Sequence, residues 1–208
     1  MATKRSTAAK VLPQRKPAKL TGKARTVSSK TVYKGKVFFI TRDEVAEPGG
    51  VHATRDVIRH NGSVVILAVD TSIDPADPTI LVERQYRHAA GQFLLELPAG
   101  GIEPGEAPLA AAKRELIEET GYHARRWSRL IRYYASPGFL AERMEIFLAE
   151  DLTLGATNPD DDEIITFRFF PLSKVLSMIA SNRLEDAKTM LAVLMFEKRH
   201  TSRKHRKK

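Results

Sequence analysis

The residues most able to do chemistry lie in residues 100–122, "GGIEPGEAPLAAAKRELIEETGY". A helix is predicted from about Pro108 to Thr120, because a proline stands in its first turn and Gly121 follows as a stop signal. Residues three and four positions apart share one face of a helix. That face carries three carboxylates: Glu115, Glu118 and Glu119.

Two readings of this acidic face are open. Charged helix residues ordinarily face water, and like charges at this spacing destabilise a helix by a few tenths of a kcal/mol each. Three neighbouring carboxylates are also a suitable set of oxygen ligands for Mg²⁺ or Mn²⁺, and a divalent ion removes the repulsion. Magnesium in proteins keeps few carboxylates and completes its shell with water and substrate phosphates. The second reading therefore predicts a metal-dependent enzyme that acts on a phosphate compound.

The composition is that of one globular domain of ordinary hydrophobicity. The chain has 208 residues and no cysteine, which excludes disulfides, thiolate zinc sites and cysteine nucleophiles. No apolar run reaches the roughly 20 residues of a membrane-spanning helix. We therefore expect a cytoplasmic protein that does not enter a membrane.

The net charge of +9 comes from the two ends of the chain. Residues 1–30 contain nine Lys or Arg and no acid, and residues 198–208 contain seven and no acid. The intervening residues carry 18 basic against 25 acidic side chains. We expect disordered basic tails at 1–30 and 199–208 around a domain at 31–198.

Three uses of the tails remain open. A basic tail can contact nucleic acid or another polyanion without sequence specificity. The N-terminal segment could instead be a transit peptide, or both tails could simply be solubilising extensions.

Between the tails, the pattern mixes strands and helices and predicts an α/β layered domain. Strands are predicted at 31–45 (one or two strands), 54–58, 63–70, 80–86, 94–97, 130–135, 144–150 and 164–170. Besides the acidic helix, two amphipathic helices are predicted at about 173–181 and 186–198.

The acidic stretch resembles the Nudix box at every position. The matching residues are Gly100, Glu106, Arg114, Glu115, Leu116, Glu118, Glu119, Gly121 and Tyr122. The flanking segments "LVERQYR" (81–87), "LLELPAG" (94–100) and "YASPG" (134–138) are similar to the ADP-ribose pyrophosphatase branch of that family. So is Pro137, a proline 16 residues beyond Gly121. The resemblance covers about residues 33–198.

The resemblance implies a fold and a reaction. The fold is a mixed β-sheet sandwiched between α-helices, with an N-terminal antiparallel strand region, in a homodimer. The reaction is hydrolysis of ADP-ribose to AMP and ribose 5-phosphate. Another nucleoside diphosphate sugar, such as GDP-mannose, is the alternative substrate. A non-catalytic protein that binds nucleotides or polyanions is the alternative from a different class.

The resemblance also implies roles for single residues. Mg²⁺, with Mn²⁺ as an alternative, is held by Glu115, Glu118, Glu119 and the main-chain carbonyl of Ala99. Arg114 pairs with a box glutamate and orients it.

The water-activating carboxylate comes from a later acidic loop, where Glu163 is preferred over Asp160 and Asp162. Glu118 or Glu119 is the alternative base. Substrate-binding positions are the phosphate-contacting Arg55 and Arg87, and Glu96 and Glu142 near the ribose end.

Overall fold

The computed structural model describes residues 23–155 and 165–206. An N-terminal sheet contains β1 (Arg25–Lys34), β2 (Phe39–Glu47) and β3 (Val51–Arg59). The main domain continues with β4 (Ser63–Asp70), β5 (Thr79–Arg87), β6 (Gln92–Glu96), β7 (Ala99–Gly101), α1 (Pro108–Thr120), β8 (Tyr122–Tyr134), β9 (Arg143–Leu154), β10 (Thr166–Pro171), α2 (Leu172–Ala180) and α3 (Ala187–Arg206).

The strands form two sheets. The N-terminal sheet is antiparallel in the order β1-β2-β3. The main sheet has the order β10-β5-β4-β9-β8, with β6 paired to β5 and β7 paired to β4. Its β4 and β9 are parallel, whereas its other pairs are antiparallel, so the sheet is mixed. The predicted fold class is confirmed.

The core lies on both faces of β4, whose side chains point alternately to opposite sides of the sheet. Val65, Leu67 and Val69 belong to the apolar cluster that includes side chains of α2 and α3. Val64 and Ile66 belong to a second cluster, which they form with α1. Burial on both faces explains why this strand is a continuous apolar run and does not alternate.

The main sheet divides between β4 and β5, and the resulting gap can accommodate a site. Between the two described strands β4 and β5, pairing is confined to Val69 with Ile80 and Asp70 with Thr79. Toward the other end, β4 pairs with β7 and β5 pairs with β6. The chain passes from β6 to β7 through residues 97–98, so the two halves of the sheet separate there. Polar side chains can be placed at this division without disrupting a continuous ladder.

The boundary predicted for the N-terminal tail was wrong where the structure describes it. Residues 25–30 belong to β1, which pairs with β2 from Arg25 opposite Ala46 to Lys34 opposite Phe39. The strand is exposed along its whole length, but it contains β-branched residues, which favour extended backbone. Ladder hydrogen bonds to β2 therefore order a segment that has no core of its own. Residues 1–22 of the predicted tail lie outside the described residues.

The C-terminal boundary also differs from the prediction. Helix α3 continues to Arg206, eight residues beyond the expected end. Lysine and arginine are good helix formers, and positive charge is favourable at a helix C-terminus, where the partial charge of the helix is negative. The basic run therefore prolongs the helix. In the part of the chain that the structure describes, no helix is long and apolar enough to cross a membrane.

Strand β8 is longer than its sequence predicts. It begins at Tyr122, whereas the apolar pattern indicated a start near Leu130. The first half is rich in arginine and mostly exposed, so it lacks the apolar alternation of a half-buried strand. Pairing with β9, from Tyr122 opposite Leu154 onward, holds it extended.

Candidate active site

Helix α1 is held against the sheet by small apolar side chains. Ala111, Ala112 and Leu116 are buried and pack in one cluster with Ile66 of β4. The helix ends where Gly121 adopts a left-handed conformation (φ 70°) and donates its N–H to the Ile117 carbonyl at 2.8 Å. This packing fixes the direction in which the face with Glu115, Glu118 and Glu119 points.

Arg114 connects the acids of the box. Its Nη1 donates to Glu115 Oε1 and to Glu118 Oε2, both at 2.8 Å. Its Nε and Nη2 bind the two carboxylate oxygens of Glu106, each at 3.1 Å, and Nη2 also reaches the Gly101 carbonyl at 3.1 Å. These bonds, chiefly that to Glu106, raise the pKa of Arg114 above its ordinary value despite partial burial. The structure thus shows the pairing that was expected of Arg114.

The backbone of β7 lies directly against these carboxylates. The Ala99 N–H donates to Glu119 Oε2 at 3.1 Å. A Cβ atom added at Gly100 would stand only 2.0 Å from Glu115 Cδ, so glycine is required for the close approach. Strand and helix together bring Ala99, Glu115 and Glu119 to one place.

The donor set fits a hard divalent cation, because it consists of carboxylates and backbone carbonyls. Within residues 23–155 and 165–206, however, no three His, Cys, Asp or Glu side chains converge as a ready-made metal cage. Arg114 binds Glu115 and Glu118, and the Ala99 N–H binds Glu119, so all three carboxylates are held by protein hydrogen bonds. The carboxylates can therefore bind a cation if contacts with the cation replace these hydrogen bonds.

A second charged group occupies the division of the sheet. Arg87 Nε and Nη2 donate to the two oxygens of Glu96, each at 2.8 Å. Lys188 of α3 also contacts Glu96 Oε2 and pairs with Asp186 at 3.0 Å. Burial opposes the charge of Glu96, but Arg87 and Lys188 outweigh burial and lower its pKa. The carboxylate is thus held ionised inside the fold.

This group lies within electrostatic range of the box helix. The pKa of Arg87 is raised above its ordinary value, first by the hydrogen bond from Arg87 to Glu96 and further by the charges of Glu83 and Glu119. The charge of Glu119 is thus among the influences on Arg87, and the substrate-binding role of Arg87 and Glu96 stays a prediction.

Glu142 lies at the start of β4 and β9. It accepts a hydrogen bond from Ser63 Oγ at 2.6 Å, and His60 Nδ1 is 3.8 Å from the same oxygen. Burial, then the charges of Asp186 and Glu142, raise the pKa of Tyr133 to about 12.

Arg55 is placed apart from these residues. It pairs with Glu47 through Nε at 3.0 Å and Nη2 at 3.1 Å, on the N-terminal sheet. With Pro137 and Phe139 it lines an open cavity of about 390 Å³. The substrate-binding role of Arg55 stays a prediction.

The predicted loop acids Glu163, Asp160 and Asp162 lie outside the described residues. The chain before them ends at Gly155, whose N–H donates to the Gly121 carbonyl at 2.8 Å. This contact attaches the described end of that segment to the C-terminus of α1.

Sequence reasoning missed two charged residues of this site. Glu83 is fully buried in β5, and the signal available for it was an acid directly after the apolar residues 80–82. Lys188 had no local signal, because it meets Glu96 across 92 residues of sequence.

Comparison with known proteins agrees with this geometry. The NUDIX domain model matches residues 60–193. Proteins named ADP-ribose pyrophosphatase from Bacillus subtilis and Mycobacterium tuberculosis are 33% and 34% identical, each over 81% of this chain and over 90% and 81% of the relatives.

A Citrobacter koseri protein named GDP-mannose pyrophosphatase is 33% identical over 65% of this chain and 77% of its own. A crystal structure described as an ADP compounds hydrolase superposes with a TM-score of 0.75, at 22% identity, covering 89% of this chain and 98% of that one. The chain belongs to the Nudix family of pyrophosphate-hydrolysing enzymes, and its relatives include proteins named ADP-ribose pyrophosphatase.

Proposed function

We propose that this Nudix enzyme hydrolyses ADP-ribose to AMP and ribose 5-phosphate in a Mg²⁺-dependent reaction. The observation that supports the proposal is the meeting of the α1 carboxylates with the β7 backbone, through the Ala99 N–H bond to Glu119, beside which the paired strands β5 and β6 hold Arg87 on Glu96. In this proposal the carboxylates supply oxygen ligands for a cation, and Arg87 supplies a guanidinium suited to phosphate. The names of two relatives that match 81% of the chain support ADP-ribose as the substrate.

The metal ligands in this proposal are Glu115, Glu118, Glu119 and the Ala99 carbonyl. When bound, Mg²⁺ neutralises the diphosphate and lowers the pKa of an attacking water. Arg114 keeps Glu115 and Glu118 on the side of α1 that meets β7.

Proton transfer needs a carboxylate next to the water. We assign this role to Glu163, with Glu118 or Glu119 as the alternative base. The carboxylate takes a proton from the water as its oxygen attacks phosphorus, and AMP leaves as the bond between phosphorus and the bridging oxygen breaks.

The substrate contacts follow from charge and position. Arg87 binds the diphosphate, because its planar guanidinium can donate to phosphate oxygens as well as to Glu96. Glu96 and Glu142 lie toward the ribose. Arg55 pairs with Glu47 on the N-terminal sheet, and in this proposal it contributes to a substrate site in the dimer.

The test is AMP release from ADP-ribose with and without Mg²⁺, run beside GDP-mannose. Glu119→Gln is expected to reduce kcat by at least about tenfold, equivalent to about 1.4 kcal/mol in the barrier. Unchanged turnover in Glu119→Gln would exclude the metal role. Faster hydrolysis of GDP-mannose would favour the second candidate, which the similarity to GDP-mannose pyrophosphatases supports. Metal binding without turnover of either substrate would favour a nucleotide-binding role.

We also propose that the enzyme is a homodimer formed through the N-terminal sheet. This sheet exposes several large apolar side chains, and patches of this kind commonly mark interfaces. They are Val27, Val32, Tyr33, Phe39 and Val51. Light scattering on the intact chain and on Val32→Asp tests the proposal: a dimer that dissociates in the variant supports it, whereas a monomeric intact chain excludes it.

The basic ends are proposed to contact polyanions weakly. The expected salt dependence follows from release of counterions from nucleic acid. Fluorescence anisotropy with labelled RNA, on chains with and without residues 1–22, measures the contribution. Equal affinity of the two chains would exclude a role for that segment.

A further inference from the structure

The charge network around Glu96 joins two distant parts of the fold. Glu96 is at the end of β6, Arg87 is at the end of β5, and Lys188 lies in the first turn of α3. Lys188 contacts the same carboxylate oxygen, Oε2, that receives the Arg87 Nη2 hydrogen bond. One carboxylate therefore anchors two cations, one from β5 and one from α3.

The burial of these groups differs in a way that assigns them different roles. The side chain of Glu96 is 1% exposed and that of Lys188 is 13% exposed, whereas that of Arg87 is 36% exposed. Lys188 is thus mostly buried, and Arg87 is the member of the group most exposed to solvent. The bidentate contact through Nε and Nη2 directs the third guanidinium nitrogen away from Glu96.

The position of Lys188 on its helix needs an explanation. A positive charge in the first turn of a helix is unfavourable, because the partial charge of that end is also positive. Asp186 compensates in two ways: it accepts a hydrogen bond from the Thr189 N–H at 3.0 Å and pairs with Lys188 at 3.0 Å. The lysine is fixed between Asp186 and Glu96, so its ammonium has a defined position.

We propose that Lys188 is a positioning residue for substrate binding: by holding Glu96 at the oxygen that Arg87 also binds, it fixes the orientation of Arg87 toward the diphosphate. A carboxylate with only one partner can rotate with that partner, and a site loosened by about 1 Å loses much of its function. The second cation also shares the charge of Glu96, which leaves more of the positive charge of Arg87 for phosphate. This inference rests on the proposed role of Arg87 and adds the residue that acts through it.

The experiment is a double-mutant cycle on steady-state kinetics, with whichever nucleoside diphosphate sugar the full-length enzyme turns over fastest. Lys188→Met is expected to raise KM about tenfold and to change kcat less than about threefold, because the loss is one of binding common to the ground and transition states. Lys188→Arg is expected to restore KM to within about threefold, since arginine keeps the charge and reaches the same oxygen. In an Arg87→Met background, adding Lys188→Met is expected to change KM less than about twofold, because residues in one network are not additive.

Lys198→Met is the matched control, as it makes the same substitution at an exposed position of α3. It is expected to leave KM and kcat unchanged. A purely structural role of Lys188 would lower the melting temperature and the active fraction, and so the apparent kcat, while KM stayed constant. That result would overturn the inference.

The cycle also separates this inference from the function on which it rests. Independent, multiplicative effects of Arg87→Met and Lys188→Met would place Lys188 in direct contact with substrate and overturn its positioning role. If Arg87→Met raised KM but Lys188→Met did not, only the inference would fail. If Arg87→Met left KM unchanged, the assignment of Arg87 to the diphosphate would fail, and this inference with it.

Discussion

The close approach of Gly100 to Glu115 allows the role of Glu115 to be tested by adding a single methyl group. In Gly100→Ala, the new Cβ would lie 2.0 Å from Glu115 Cδ and 2.1 and 2.3 Å from its two oxygens. An ordinary van der Waals contact begins at 3.4 Å, so the carboxylate must withdraw by about 1.4 Å. Arg114 Nη1, which now binds Glu115 Oε1 at 2.8 Å, cannot follow without weakening its bond to Glu118.

The expected result is a loss of activity with little loss of stability. Displacement of a catalytic group by about 1 Å can cost on the order of 100-fold in rate, and we expect a fall of that size in kcat for the favoured substrate. Gly100 does not have the positive φ that alanine would resist, so the backbone can accept the change. The melting temperature is expected to fall by only a few degrees, since the clash is with a flexible side chain.

Gly101→Ala is the matched control, because a Cβ at the next residue meets no atom within 4 Å. AMP release at saturating Mg²⁺ and a thermal melt, measured on both variants and the unaltered chain, are sufficient. Near-normal kcat in Gly100→Ala would show that the position of Glu115 is not required for catalysis. An equal loss of kcat in Gly101→Ala would show that a side chain in β7 reduces activity by a cause other than displacement of Glu115.

Three further predictions concern the scaffold of the site. Arg114→Lys replaces a guanidinium that binds Glu106, Glu115 and Glu118, and we expect the Mg²⁺ concentration for half-maximal activity to rise about 10- to 100-fold. Lys113→Met is the control at an exposed position of the same helix. An unchanged Mg²⁺ requirement in Arg114→Lys would contradict the orienting role of Arg114. Leu116→Ala removes a fully buried side chain and should lower the free energy of unfolding by about 2–5 kcal/mol in denaturant melts, whereas Leu109→Ala, 38% exposed on the same helix, should lower it much less. In the folded protein, the pKa of Glu96 is below the ordinary value of 4.5. The charge of Glu96 therefore stabilises the fold above pH 4.5, and this stabilisation is lost as the pH falls through the folded pKa. Glu96→Gln should therefore flatten the decline of melting temperature below pH 4.5, and an identical acid decline in both proteins would refute this linkage.

The Nudix helix shows how much a local pattern can determine. The spacing of Glu115, Glu118 and Glu119 fixes a common face, because helix periodicity depends only on positions a few residues apart. The same holds for Pro108 at the start and Gly121 at the end, where the structure agrees with the prediction. The likeness of Arg87 and Glu96 to substrate-binding positions placed them in one site, and the structure joins them by two hydrogen bonds.

What the sequence alone determined is therefore the helix, its acidic face and the family. The tertiary structure decided which charged residues meet: it buried Glu83, brought Lys188 to Glu96 across 92 residues of chain, and paired Arg55 with Glu47. It also ordered residues 25–30 as a strand by pairing them with β2. These outcomes depend on how strands pair and helices pack over long distances, and no residue type or spacing within a short segment specifies that.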